Sequence, residues 1–70
     1  MKNNVRYFRK TNKGLTQDVL AERAGVTRQT IIAIEKGKFN PSVKLALKIS
    51  KILECRLEKL FELEEGDWNE

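Results

Sequence analysis

The sequence predicts an all-α domain of five short helices. Three observations lead to it. Turn residues are few and regularly placed: Gly14, Gly25, Gly37, Pro41 and Gly66 are the only glycines and proline in 70 residues. Between these marks the apolar residues recur at helical spacing. Two consecutive segments also share one start signature, an apolar residue, a Thr, and an apolar residue four positions beyond the Thr.

The first helix is expected over roughly residues 3–12, with Asn3 or Asn4 as its cap and Val5, Phe8 and Tyr7 on its inner side. Thr16 caps the second helix. Leu15 and Leu20 have the spacing of a hydrophobic staple, and Asp18 falls in the first turn, where the helix dipole favours a carboxylate. Gly25 ends it. Val26, Thr27 and Ile31 repeat the signature for a third helix, which stops at Gly37, and Ile31 and Ile34 share its buried face. The short link Ala24-Gly25-Val26-Thr27 is the spacing of a helix-turn-helix. Ser42, after Pro41, caps a fourth helix whose Val43, Leu45, Ala46, Leu47, Ile49, Ile52 and Leu53 make it the core spine. A fifth helix is expected over Leu57 to Phe61. Glu62 to Glu65 alternates, which fits either a short edge strand paired near Met1 or a frayed end.

Composition excludes several function classes. One Cys allows no internal disulfide, and with no His an ordinary structural zinc site and a histidine general base are both excluded. Neither paired catalytic carboxylates nor a glycine-rich phosphate loop is present, so no enzyme, no metal and no cofactor are expected. Cys55 reads as a small apolar filler. The longest uncharged stretch is six residues, Gln29 to Ile34, against about 20 for a membrane helix. No apolar run follows Met1-Lys2-Asn3-Asn4, so no signal peptide is expected, and the expected location is the cytoplasm.

The charge is divided along the chain. Residues 1–51 hold twelve Lys and Arg against three carboxylates, a net +9; residues 52–70 hold two against seven, a net −5. A basic body fits a polyanion partner, and it fits an ordinary solvated surface as well.

The third helix favours the first of these. With Ile31 and Ile34 turned inward, its outer face carries Arg28, Gln29 and Ile32, with Thr30 and Ala33 more oblique. Arg and Gln read guanine and adenine edges through paired hydrogen bonds, and an apolar residue suits a thymine methyl. Thr16 and Gln17 stand at the N-terminus of the second helix, where backbone N–H groups attract anions. Lys36, Lys38 and Asn40 follow the third helix in a loop that can grip the DNA backbone.

Residues 3–61 resemble the Cro/C1-type, or xenobiotic-response-element, helix-turn-helix family of phage repressors and small regulators. The likeness is carried by Leu15-Thr16-Gln17, Leu20-Ala21, Ala24-Gly25-Val26-Thr27, Gln29-Thr30-Ile31, Ile34-Glu35-Lys36-Gly37, Asn40-Pro41-Ser42 and Leu57 to Phe61. The resemblance implies a five-helix, lambda-repressor-like bundle that binds double-stranded DNA as a dimer, in compact members with a short two-stranded sheet from the chain ends. It implies phosphate contacts by Gln17, Thr27, Lys38 and Asn40, base contacts by Arg28, Gln29 and their neighbours, and a structural ion pair between Arg9 and Glu35. Three positions depart from the family pattern: the turn Thr11 to Gly14 is one residue longer, Glu54 ends helix four where Gly or Asn is usual, and Arg56 stands where Ser or Thr often caps helix five.

The expected organisation is a DNA-binding domain over residues 1–66 and an acidic tail over 67–70. A homodimer on a palindromic operator is expected, acting as a repressor, with Leu57, Leu60, Leu63 and Trp68 as its contact residues. The alternative is an antitoxin-type protein-interaction module that also binds its own promoter.

Overall fold

A computed structural model describes residues 1–69; Glu70, the last residue of the expected tail, lies outside them. The chain order is β1 (Lys2–Asn3), α1 (Val5–Phe8) continuing into a π-helical turn (Arg9–Lys13), α2 (Gln17–Ala24), α3 (Arg28–Glu35), α4 (Val43–Leu53), α5 (Leu57–Leu60), β2 (Phe61–Glu62) and a 3₁₀ turn (Glu65–Trp68). The fold is thus a five-helix bundle whose chain ends meet in a two-stranded antiparallel sheet, with Lys2 opposite Glu62 and Asn3 opposite Phe61.

The caps form as their residue types require. Thr16, Thr27 and Ser42 each accept a hydrogen bond from the backbone N–H three residues on, at Val19, Thr30 and Leu45. Gly25 ends α2 in the left-handed region at φ 74°, a conformation that costs a side chain-bearing residue more. Glu54 ends α4 in the same region at φ 53° with no glycine to relieve it. Arg56 leaves α5 without a side-chain cap.

The ends differ from expectation. Helix one begins at Val5, because Asn3 belongs to β1; its side-chain oxygen still accepts from the Val5 N–H at 3.2 Å. Asn4 occupies the cap position and makes no side-chain cap bond. Helix one continues past Phe8 as a wide π turn, closed by Gly14 at φ 61°. Tyr7 faces solvent rather than the core. Helix five stops at Leu60, since Phe61 turns into β2; the strand lies one residue before the segment whose alternation suggested it.

Val5, Leu20, Ile31, Ile34, Ile49, Leu53 and Leu60 are fully buried and make one core from all five helices. Asn12 Nδ2 donates to the Leu53 carbonyl at 3.1 Å, Asn4 Nδ2 to Lys59 at 2.9 Å, and Asn3 Nδ2 to Ile34 at 2.7 Å. Each tether satisfies a carbonyl near a helix end. The half-buried Cys55 has its thiol pKa pushed up by burial, which disfavours the reactive thiolate. No helix among the described residues is long and apolar enough to cross a membrane.

Candidate nucleic-acid interface

The Gly25 turn sets α2 against α3, and the burial of Ile31 and Ile34 fixes the rotation of α3 about its axis. Arg28 and Gln29 are then exposed in the first turn, while Ile32 and Ala33 are half-buried on the next. Thr30 is half-buried too, with its hydroxyl 3.1 Å from the Thr27 hydroxyl. Arg28 Nε lies 3.7 Å from Asp18 Oδ1 on α2, a pairing in which both side chains are mostly exposed. Beyond α3, Gly37 at φ 75° turns the chain, and Lys36, Lys38 and Asn40 stand in the exposed loop it opens.

Behind this surface lies a buried polar knot. Arg9 Nε donates to Glu35 Oε2 at 2.7 Å and Nη2 to Oε1 at 3.2 Å, while Nη1 donates to the Leu15 carbonyl at 2.8 Å. Helix one is thereby tied to α3 and to the lead-in of α2. Gln17 joins the knot, its Nε2 donating to Glu35 Oε1 at 3.0 Å. Gln17 is therefore committed in part to the protein, a role its position at a helix start does not reveal. The Gln17–Glu35 and Asn3–Ile34 contacts span 18 and 31 residues, so no local pattern marks them. The Arg28–Asp18 pairing likewise has no helical spacing to announce it.

The residues expected to form a dimer contact divide. Leu60 is fully buried in the core and is not available to a partner; its side chain closes α5 onto the bundle. Leu57 is half-buried, and Leu63 and Trp68 are exposed. Leu57 lines an apolar hollow of about 180 Å³ together with Met1, Pro41, Val43, Ala46 and Phe61. Val43, 74% exposed on the first turn of α4, and Leu47, 49% exposed one turn farther on, are apolar residues that periodicity places in the core and the structure leaves on the surface. The tail is anchored beside the same hollow. The Met1 amino group lies 3.0 Å from Asp67 Oδ1 and 3.2 Å from Glu64 Oε1, and the Glu64 N–H donates to Asp67 Oδ2 at 2.7 Å.

A helix-turn-helix family model matches residues 5–60. The chain is 51% identical over 67 residues to an HTH-type transcriptional regulator of Methanocaldococcus jannaschii, covering 96% of this chain and 100% of that one. It is 51% identical over 65 residues to the HTH-type transcriptional regulator YgzD of Bacillus subtilis, covering 93% and 97%. Its fold is similar to the restriction-modification controller protein C.AhdI of Aeromonas hydrophila, with a TM-score of 0.72 at 35% identity over 81% of this chain and 85% of that one.

Proposed function

The chain belongs to the Cro/C1-type helix-turn-helix family of DNA-binding transcriptional regulators, not to an enzyme family, and from that premise we propose that it is a sequence-specific repressor acting as a homodimer on a palindromic operator. One observation carries this reading. Burial of Ile31 and Ile34 leaves α3 presenting Arg28, Gln29, Ile32 and Ala33 outward from a helix anchored at both ends. That helix lies in the major groove, its first turn leading, with Arg28, Gln29, Thr30, Ile32 and Ala33 reading base edges.

Thr16, Gln17, Thr27, Lys36, Lys38 and Asn40 hold backbone phosphates on either side. A Gln amide has two N–H donors. Glu35 takes one from Gln17 and thereby orients the other for a phosphate. Repression follows from occupancy of the operator.

Two such domains read a palindrome when their recognition helices lie about 34 Å apart, one turn of duplex. The apolar hollow beside Val43 and Leu57, flanked by the anchored tail with Leu63 and Trp68, supplies the two-fold contact. Selection of bound sequences from random duplex tests the proposal: a palindromic consensus is expected, and recovery of no consensus contradicts it.

A further inference from the structure

Helix one presents cations that neither the buried knot nor the recognition helix uses. Arg6 and Lys10, four residues apart, line an open cleft of about 510 Å³ whose other walls include Thr16, Gln17, Asp18 and Arg28. Among the described residues neither has a carboxylate within 4.0 Å, although their neighbours do. Arg9 is held by Glu35, and Lys13, farther along the same helix, pairs with Glu54. The unpaired cations of helix one are therefore those that face the cleft. Asp18, the one carboxylate on its walls, is matched by Arg28 at 3.7 Å. Like charges four residues apart on a helix repel by a few tenths of a kcal/mol, and an anion entering the cleft removes that repulsion.

We infer that the Arg6–Lys10 face of helix one is a phosphate clamp, binding the duplex backbone phosphates that flank the one held at Thr16 and Gln17. This inference rests on the DNA-binding reading above and extends the interface beyond the helix-turn-helix. Successive phosphates on one strand advance by about 3.4 Å along the duplex axis. A strand anchored at the start of α2 thus runs its neighbouring phosphates along the wall formed by helix one. The contact is to backbone alone, so it strengthens binding to every sequence and reads none.

The test measures duplex affinity by fluorescence anisotropy between about 50 and about 200 mM KCl, using a random-sequence duplex and the selected operator. Arg6→Gln and Lys10→Gln remove the charges from exposed positions. Each is expected to flatten the slope of log affinity against log salt by about 0.9 and to weaken binding about eightfold near 0.1 M salt, equally on both duplexes. Arg23→Gln and Lys51→Gln make the same charge change beside a different groove, on α2 and α4, and leave the slope unaltered. A slope in Arg6→Gln and Lys10→Gln equal to that of the unsubstituted protein, or matched by the Arg23 and Lys51 variants, overturns the clamp while the DNA-binding reading stands. If the unsubstituted protein shows no salt-dependent duplex binding, the reading itself has failed and the clamp with it.

Discussion

Arg9 holds Glu35 by two hydrogen bonds, Nε to Oε2 at 2.7 Å and Nη2 to Oε1 at 3.2 Å, with side chains only 8% and 4% exposed. A pair buried this far is costly to break from one side, because the remaining charge loses its partner without regaining water. Arg9→Ala or Glu35→Ala is expected to lower stability by about 3–5 kcal/mol in urea unfolding. Arg9→Met combined with Glu35→Leu restores most of the loss, since both charges then leave together. A single change costing under about 1 kcal/mol, the level of an exposed pair, contradicts this account.

Glu54 ends α4 at φ 53°, in a region that costs an L-residue with a side chain about 1–2 kcal/mol. Glu54→Gly removes that cost and gives back part of it through the freer unfolded chain. Its surface pairing with Lys13 contributes little. A net gain of about 0.5–1 kcal/mol in the urea midpoint analysis is expected, and a loss of stability contradicts it.

Base readout and phosphate contact leave different signatures. Arg28→Ala and Gln29→Ala are expected to flatten sequence preference, each removing about 1–3 kcal/mol of discrimination between operator and mismatched duplex. Lys38→Ala weakens all sequences alike and reduces the salt slope by about 1. Unchanged preference in both α3 variants means that the readout residues lie elsewhere.

Val43→Asp places a charge in the apolar hollow at the first turn of α4, where a carboxylate favours the helix. Folding, followed by circular dichroism, is expected to persist while sedimentation at tens of micromolar shows monomer in place of dimer. A dimer unaffected by the change rules out this hollow as the contact.

The tail is expected to respond to pH at both ends of a window. Asp67 has its pKa lowered, first by the hydrogen bond from the Glu64 N–H and then by the Met1 amino group. The amino group has its pKa raised, chiefly by its hydrogen bonds to Asp67 and Glu64. A lowered acid pKa contributes stability above its unfolded value and loses it as pH falls through the folded one, below about 3.9. A raised amine pKa contributes below its unfolded value and loses it as pH rises through the folded one, above about 8. Trp68, the one tryptophan, is 73% exposed beside Asp67. Its fluorescence is expected to hold steady between these limits and to change beyond each, and a change centred inside the window contradicts the tether.

Much of the fold was legible because its signals are local. A Thr cap with its staple, a left-handed glycine and a 3.6-residue apolar repeat each lie within one or two helical turns. They located α2, α3, α4 and the turn between α2 and α3. The same locality made Arg28, Gln29 and Ile32 readable as the outward face once Ile31 and Ile34 were assigned inward. Helix one was less legible. Its Arg9 bonds Glu35 and the Leu15 carbonyl, contacts that cross 26 and 6 residues and that helical periodicity does not mark. Leu60 lies in the core rather than at a contact surface, and Val43 and Leu47 lie on the surface rather than in the core, because periodicity marks an apolar residue without telling the core from an uncovered surface.

By itself, then, the sequence determined the five helices, the caps of α2, α3 and α4, the helix-turn-helix and the division between a basic body and an acidic end. Those properties follow from short-range hydrogen bonding, side-chain periodicity and charge, all of which are written in neighbouring residues. Only the tertiary structure decided that Gln17 shares Glu35 with Arg9, that Asp18 engages Arg28, and that Arg6 and Lys10 face the same cleft as the start of α2. These relations join residues distant along the chain and exist only after the core has packed the helices against one another.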